Sequence, residues 1–201
     1  MQLFDLDPQE ARVWLRGQFA CGKTITPIRE AASAAGALVP AAVLVPLVLR
    51  ESGLTVLLTR RAEHLQDHPG QISFPGGRCE PDDASVVDTA LREAQEEVGL
   101  LPSTVEVLGQ LPHYPTGTGF LVSPVVGLAM PPFELALDET EVQEAFEVPL
   151  SFLLDARNHQ KHRREVAGQW REYYAMPYGD YFIWGATAGM LVMLREYLLA
   201  Q

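Results

Sequence analysis

Residues 85–100 of this 201-residue chain read SVVDTALREAQEEVGL. The segment has the period of an amphipathic helix, because its apolar residues recur at intervals of four, three and four. These residues, which define one apolar face, are Val87, Leu91, Ala94 and Val98. Asp83 or Ser85 can cap the start of the helix, and Gly99 lies where a left-handed residue would end it. The segment therefore predicts a helix that packs one face on a core.

Three glutamates of the same segment form an acidic face. Glu93, Glu96 and Glu97 stand at i, i+3 and i+4, about 140° around the helix from the apolar residues. This position predicts that all three project from the surface side of the helix. Like charges at this spacing destabilise a helix by about 0.2–0.5 kcal/mol per pair. A divalent cation bound by the carboxylates would offset that cost, and a solvated acidic face is the alternative.

A glycine-rich turn precedes the helix and reads Phe74-Pro75-Gly76-Gly77. Glycines let the backbone approach a metal ion or a phosphate closely. Glycine pairs also occur in ordinary turns, so the turn alone indicates little. Its combination with the motif RExxEExG at residues 92–99 is far more specific.

With these motifs the sequence resembles the Nudix hydrolase family, whose signature is G, five residues, E, seven residues and then R-E-U-x-E-E-x-G-U, where U is aliphatic. The spacing from Gly77 to Arg92 is one residue longer here, and Ala84 occupies the position of the first glutamate. Asp83 or Glu80 can replace that glutamate. The resemblance implies that Arg92 braces the loop, and an ordinary surface ion pair is the alternative for this residue.

The resemblance implies a hydrolase of diphosphates linked to another moiety, with Mg²⁺ or Mn²⁺ as the cofactor. Carried over residue by residue, Glu93 and Glu97 are the principal metal ligands. Glu96 is a further ligand or the group that activates water, and the Gly77 carbonyl is an additional ligand. Some family members use an extra glutamate from a later loop. Glu141 is the candidate here for an assisting ligand or base, and an acid favoured by a helix N-terminus is the alternative.

A second resemblance concerns residues 57–77, which read LLTRRAEHLQDHPGQISFPGG. They look like the motif of the coenzyme A pyrophosphatase branch, LLTxR[SA], three residues, R, three residues, G, three residues, FPGG. Gln66 stands where the branch has arginine. The resemblance implies that coenzyme A or acyl-coenzyme A is split into adenosine 3′,5′-bisphosphate and (acyl-)4′-phosphopantetheine. It also implies substrate contacts from Arg60, Arg61 and Gly76, with a solvated strand end as the alternative for the two arginines.

The glutamine at position 66 leaves other substrates open, because glutamine cannot replace the charge of arginine against a 3′-phosphate. ADP-ribose, NADH and dinucleoside polyphosphates are the alternatives within the enzyme class. A non-catalytic, ligand-sensing Nudix module is the alternative from another class, since a fold does not fix a function.

The composition restricts partners and compartment. The chain has 15 Lys and Arg against 26 Asp and Glu, a net charge of −11, and no basic stripe with interleaved aromatic residues is evident in the sequence. We therefore expect a small-molecule substrate and no nucleic-acid partner.

The two cysteines form no disulfide framework, no secretory signal is apparent and no apolar run is long enough to span a membrane, which predicts a cytoplasmic protein. The first helix could serve a homodimer or act as a lid.

The order of strands and helices along the rest of the chain predicts an α/β fold. With the family resemblance, it implies a Nudix-type α/β/α sandwich with a mixed sheet and an N-terminal helical extension. Residues 1–35 are assigned to the extension and residues 36–201 to the Nudix domain. The predicted elements are a helix from Asp7 to about Gln18, a hairpin over residues 40–60, strands at 104–113, 119–128 and 144–148, further strands within 162–184, and an amphipathic helix at 186–199.

Overall fold

The computed structural model describes residues 6–28, 37–166 and 168–200. Its helices and strands, in chain order, are α1 (Pro8–Ala20), β1 (Val39–Arg50), β2 (Gly53–Arg61), β3 (Ile72–Ser73), β4 (Gly76–Arg78), α2 (Val86–Val98), β5 (Val105–Gln110), β6 (Tyr114–Pro115), β7 (Phe120–Ala129), β8 (Val142–Pro149), α3 (Leu150–Leu154), β9 (Gln160–Val166), β10 (Gln169–Tyr178), β11 (Tyr181–Trp184) and α4 (Gly185–Leu199). The domain boundary predicted between residues 35 and 36 lies outside the described residues.

A mixed sheet forms the centre of the fold, with the strand order β3-β2-β1-β7-β5. Strand β1 runs parallel to β7 and antiparallel to β2. In addition, β4 pairs with β1, β6 with β7 and β8 with β2. The predicted hairpin is confirmed, with Arg50 opposite Gly53 at its turn. A separate antiparallel sheet, here called the small sheet, has the order β11-β10-β9.

Helices cover both faces of the central sheet. Successive side chains of a strand point to opposite faces, so Leu44 packs with Ala94 of α2, whereas Val45 lies in the cluster that contains Leu191 of α4. Helices α1 and α3 and the small sheet join the α4 side of the core. The predicted α/β/α sandwich with a mixed sheet is therefore confirmed.

The N-terminal helix α1 begins where the sequence predicts and packs on the domain. The Asp7 side chain accepts a hydrogen bond from the Glu10 backbone N–H, and the Glu10 side chain accepts one from the Asp7 N–H, which forms a capping box. Leu15 is buried in the core, and Arg12 pairs with Glu106 of β5 at 2.9 Å. These contacts hold the helix against the central sheet.

Helix α2 has the predicted ends but not the predicted orientation. Ser85 caps its start, and Gly99 ends it in a left-handed conformation with φ +71°. Ala90, Ala94 and Glu97 are buried, and Glu97 is only 4% exposed. The expectation that all three glutamates project from the surface side is wrong for Glu97 and for Glu93, whose side chain is only 15% exposed. The helix packs on β4 as well as on β1, and this contact covers the flank that carries both residues.

Helix α4 was expected to be amphipathic, and this expectation is wrong. Most of its residues are buried, on all sides of the helix. The helix packs against α3, β10 and β11 as well as in the core beneath the central sheet, so it has little solvent-exposed surface. No helix among the described residues is long and apolar enough to cross a membrane.

Gly99, which ends α2, provides a test of how closely the loop between β7 and β8 packs against this helix. A β-carbon at Gly99 would lie 2.8 Å from the backbone nitrogen of Ala136, whereas one at Gly179, which has φ +56°, would meet nothing within 4 Å. We expect Gly179→Ala to lower the free energy of unfolding by about 1 kcal/mol through backbone strain alone. Gly99→Ala should lower it by about 2–4 kcal/mol, because the overlap adds to the strain. Urea unfolding measures both values, and equal losses would contradict the packing at Ala136.

Candidate active site

The two glycines of the turn begin strand β4. Their backbone lies closer to the neighbouring residues than a residue with a side chain would allow. Gly76 and Gly77 belong to β4 and lie opposite Val43 and Ala42 of β1. A β-carbon at Gly76 would overlap the Ala42 carbonyl oxygen and Val43, and one at Gly77 would overlap the carboxylate of Glu93. The missing side chains therefore bring the backbone directly against the carboxylates of α2.

Glu97 has the most unusual environment of the acidic residues. The Gly76 N–H donates a hydrogen bond to its carboxylate, but the Oε2 atom is buried and has no hydrogen-bond partner among the described residues. Burial raises the pKa of Glu97 to about 8, and the negative charges of Glu93 and Glu141 act in the same direction. The Arg61 charge lowers this pKa. A buried carboxylate oxygen without a partner is costly unless a cation or a proton joins it.

Glu93 and Glu96 differ from Glu97 because Arg92 contacts both of them. Its Nη1 atom lies 2.9 Å from an oxygen of Glu93 and 2.9 Å from an oxygen of Glu96. Glu93 is largely buried, and burial raises its pKa, whereas Glu96 is 60% exposed. Among residues 6–28, 37–166 and 168–200, no three His, Cys, Asp or Glu side chains form a group that could hold a metal ion as they stand. The metal-ligand roles of the three glutamates stay a prediction.

The donor set nevertheless fits a hard divalent cation. Carboxylate and carbonyl oxygens are the ligands that Mg²⁺ and Mn²⁺ prefer. The unpartnered oxygen of Glu97 offers such a ligand, and Glu93 lies next to it against the Gly77 backbone. The contact between Arg92 and Glu96 is largely exposed and so is weak enough to be exchanged for a cation.

Arg92 is anchored by a carboxylate from the loop before α2. Its Nε and Nη2 atoms donate to the two oxygens of Asp83, each at 3.0 Å. Asp83 also accepts hydrogen bonds from the Thr89 hydroxyl at 2.8 Å and from the Glu80 N–H at 2.9 Å. The guanidinium holds the pKa of Asp83 well below its usual range. Of the two residues that could replace the missing glutamate, Asp83 supplies the carboxylate and Glu80 supplies a backbone donor.

Glu141 lies beside the acidic residues of α2 although it comes from a distant loop. Its carbonyl accepts a hydrogen bond from the Ala62 N–H at 2.9 Å, and its carboxylate charge raises the pKa of both Glu93 and Glu97. The residue directly precedes β8, so the alternative explanation as an acid at a helix N-terminus is wrong. Its side chain is exposed and free to meet a ligand.

The structure separates the two adjacent arginines of β2. The charge of Arg61 lowers the pKa of Glu97, so Arg61 acts on the site. Arg60 lies 3.8 Å from Glu144 and over the ring of Tyr181, at 5.3 Å from its centroid. The Tyr181 hydroxyl donates to Glu144 at 2.5 Å. Both arginines were expected to contact the substrate, and the separation of adjacent side chains on a strand was not considered. The contribution of Tyr181 and Glu144 had no signal in the sequence.

A cavity of about 520 Å³ opens beside Glu141. Its lining residues are Ala62, Glu63, His64, Leu137, Glu139, Val142 and Gln143. The wall thus combines apolar side chains with two carboxylates, an imidazole and an amide. His68 and Gln66, on the same loop as His64, are exposed to solvent.

Comparison with known proteins identifies the family of the chain. The family model described as "NUDIX domain" matches residues 38–169. The chain is 45% identical over 152 residues to proteins described as the uncharacterized Nudix hydrolase NudL, from Enterobacter sp. (strain 638) and from Escherichia coli (strain SMS-3-5 / SECEC), and the match covers 75% of this chain and 78% of each relative.

Solved structures show the same fold at low sequence identity. RenU, a Nudix hydrolase from M. smegmatis, is 20% identical with a TM-score of 0.57, and the match covers 83% of this chain and 92% of that one. The NUDIX domain of Shewanella oneidensis NrtR, solved with ADP ribose, is 20% identical with a TM-score of 0.52 and coverages of 81% and 90%. The fold, the matched family model and the 45% identical relatives together establish that this chain belongs to the Nudix hydrolase family.

Proposed function

We propose that this chain is a metal-dependent diphosphatase that hydrolyses coenzyme A or acyl-coenzyme A to adenosine 3′,5′-bisphosphate and (acyl-)4′-phosphopantetheine. The observation that carries the proposal is the buried, unpartnered oxygen of Glu97, which lies next to Glu93 and the glycine strand. Nudix hydrolases generally use divalent ions such as Mg²⁺ or Mn²⁺. The residues that would hold the ion are Glu93 and Glu97, with Glu96 and the Gly77 carbonyl as further oxygen donors.

The mechanism follows from the charges around this site. A bound divalent cation would supply positive charge against the phosphate oxygens and would acidify a water molecule. Arg61 binds the diphosphate through its guanidinium and holds the phosphorus atom in line for attack. Glu141 accepts a proton from the attacking water, with Glu96 as the alternative base. The water oxygen bonds to phosphorus, the bridging P–O bond breaks, and the leaving phosphate takes the electron pair.

The choice of coenzyme A rests on the motif of residues 57–77 and on the cavity beside Glu141. The walls of this cavity carry Glu63 and Glu139 with a single imidazole, so they do not suit a phosphate group. Carboxylate and amide groups beside apolar side chains do suit the neutral pantetheine arm, whose amides can donate and accept hydrogen bonds.

A second candidate is a diphosphate without a 3′-phosphate, such as ADP-ribose, NADH or a dinucleoside polyphosphate. Gln66 favours it, because this exposed residue lacks the charge of the arginine found in the coenzyme A pyrophosphatase motif.

Substitution of the buried carboxylate tests the metal site. Glu97→Gln should lower turnover of coenzyme A with Mg²⁺ or Mn²⁺ at least about 100-fold. The metal-free protein should keep its thermal stability, because the buried Glu97 side chain is largely protonated at neutral pH and the amide is a neutral group of the same size. The rise in melting temperature on adding metal should disappear. The exposed Glu134→Gln serves as the control. A folded Glu97→Gln variant with full metal-dependent turnover would refute the assignment.

Asp83 tests the anchoring of Arg92. Asp83→Asn removes the charge that receives both 3.0 Å hydrogen bonds, so Arg92 should lose its fixed position and release Glu93. We expect metal affinity to fall about 10-fold to 100-fold, as for other groups that orient ligands. The adjacent, exposed Asp82→Asn should change neither metal affinity nor turnover. Equal effects of the two variants in metal titrations would show that Asp83 acts only through its surface charge.

A substrate panel separates the two candidates. The kcat/KM for coenzyme A is compared with that for 3′-dephospho-coenzyme A, ADP-ribose and NADH. Gln66→Arg should raise the value for coenzyme A about tenfold and leave the 3′-dephospho form unchanged, since the new guanidinium meets only the 3′-phosphate. If the wild type and the variant each hydrolyse coenzyme A and its 3′-dephospho form with equal kcat/KM, the result would favour a diphosphate substrate without a 3′-phosphate. A wild type that binds metal but releases no product from the whole panel would instead be a ligand-sensing module.

A further inference from the structure

The small sheet presents one of its faces to solvent, and this face combines aromatic rings with cations. The other face packs on the core through Met176 and Ile183. The residues of the outer face, here called the aromatic-basic face, are His162 and Arg164 of β9, Arg171 and Tyr173 of β10, and Phe182 and Trp184 of β11. No basic stripe with interleaved aromatic residues is evident along the sequence, but the strand register assembles one on the small sheet, so the expectation that there is none is wrong.

The rings of this face touch one another and stay accessible. His162 stacks on Tyr173 with a centroid distance of 5.6 Å, and Tyr173 meets Trp184 edge-on at 5.5 Å. Phe182 lies 6.2 Å from His162 and is 45% exposed. These contacts hold each ring in place against its neighbours. The exposed surface is therefore pre-arranged for a planar ligand that stacks on it.

The two guanidinium groups of this face have no anion to balance them. Arg164 and Arg171 are directly opposite each other in the register, and like charges in that position destabilise a sheet. Within the described part of the chain, neither forms an ion pair. The Nε atom of Arg171 is buried and has no hydrogen-bond partner there. Arg163, which points to the opposite face, is paired with Glu172 at 2.5 Å.

This arrangement corresponds to the two parts of a nucleotide. Paired arginine forks recognise a phosphate group, and aromatic rings stack on a base. Arg164 lies over the Trp184 ring at 5.3 Å, so a cation and an aromatic ring are already adjacent. A second copy of the chain packed on this face fits less well, because its own Arg164 and Arg171 would add to cations that already lack an anion.

We propose that the aromatic-basic face binds a nucleotide, with its phosphate between Arg164 and Arg171 and its base stacked on the rings beside Phe182. The nucleotide is either the nucleotide end of the diphosphate substrate or a separate molecule. The proposal goes beyond the diphosphatase activity and does not depend on it, because a nucleoside monophosphate has no diphosphate bond to cleave.

Calorimetric titration with AMP in the presence of EDTA tests the face without metal or turnover. AMP should bind more tightly than adenosine or inorganic phosphate, because each of these carries only half of the recognised chemistry. Arg164→Ala should weaken AMP and phosphate about tenfold but leave adenosine unchanged. Phe182→Ala should weaken AMP and adenosine but not phosphate. Arg163→Ala, the matched control on the opposite face, should bind AMP like the wild type.

Several results would overturn the proposal. These are a wild type that does not bind AMP, an Arg163→Ala variant that loses as much affinity as Arg164→Ala, and a single-stranded RNA whose affinity exceeds that of AMP and rises steeply with length. A wild-type dimer that Phe182→Ala converts to a monomer in sedimentation would assign the face to a second copy instead.

Competition identifies the source of the nucleotide. If AMP raises the apparent KM for coenzyme A in the wild type and this effect weakens in Arg164→Ala, the face takes the nucleotide end of the substrate. If AMP binds but leaves hydrolysis unaffected, the face takes a separate nucleotide. Both results support binding. Lack of hydrolysis by the wild type would contradict the proposed function alone, since the titration in EDTA still decides the binding.

Discussion

The buried carboxylate of Glu97 determines what the rest of the site has to supply. The packing of α2 on β1 and β4 removes this group from solvent, and Gly76 offers it one N–H. Because burial raises its pKa to about 8, the group retains its proton at neutral pH when no cation is present. Carboxylate ligands bind metals in the deprotonated form, so an ion bound as proposed would have to displace that proton. The charge of Arg61 lowers the pKa of Glu97 but does not reverse the effect of burial. Deprotonation of Glu97 at neutral pH therefore requires a more concentrated positive charge than one guanidinium.

Arg92 explains why the acidic residues are not gathered around one point. A guanidinium has five N–H donors in a fixed plane, and Asp83 receives hydrogen bonds from two of its nitrogen atoms. The remaining nitrogen serves Glu93 and Glu96 together and relieves the repulsion between them. The two contacts differ in strength, since Glu93 is largely buried while Glu96 is exposed and screened by water. Glu96 can therefore leave the arginine for a cation while Asp83 and Arg92 stay in place.

The local part of this structure could be predicted from the sequence, and the errors arose where distant segments meet. Ser85 and Gly99 bound α2 because capping depends on neighbouring residues alone. The burial of Glu97 depends on the pairing of Gly76–Arg78 with β1, which no helical period reveals. The wrong expectation for α4 has the same origin, because contacts with the small sheet and α3 bury the helix on sides that the central sheet does not cover.

The same limit applies to the two arginine clusters. Arg60 and Arg61 were expected to contact the substrate together, but the partners of Arg60 come from β8 and β11 and could not be inferred locally. The basic residues of β9 and the aromatic residues of β10 and β11 are separate in the sequence, and only their register brings them to one face. Residues that share one surface were thus visible in the sequence only when they belonged to one element.

The charge of the chain limits where an anion can bind. A net charge of −11 repels an anionic substrate at long range, so the charges that attract it have to be concentrated where it binds. Arginines already paired with carboxylates, such as Arg50 with Glu147, contribute little to this attraction. Arg61, Arg164 and Arg171 form no ion pair within the described part of the chain, so their charge remains available. Strand β11 connects the small sheet to the central sheet, because Tyr181 contacts Glu144 of β8 and Arg60 of β2 on one face while Phe182 lies on the other.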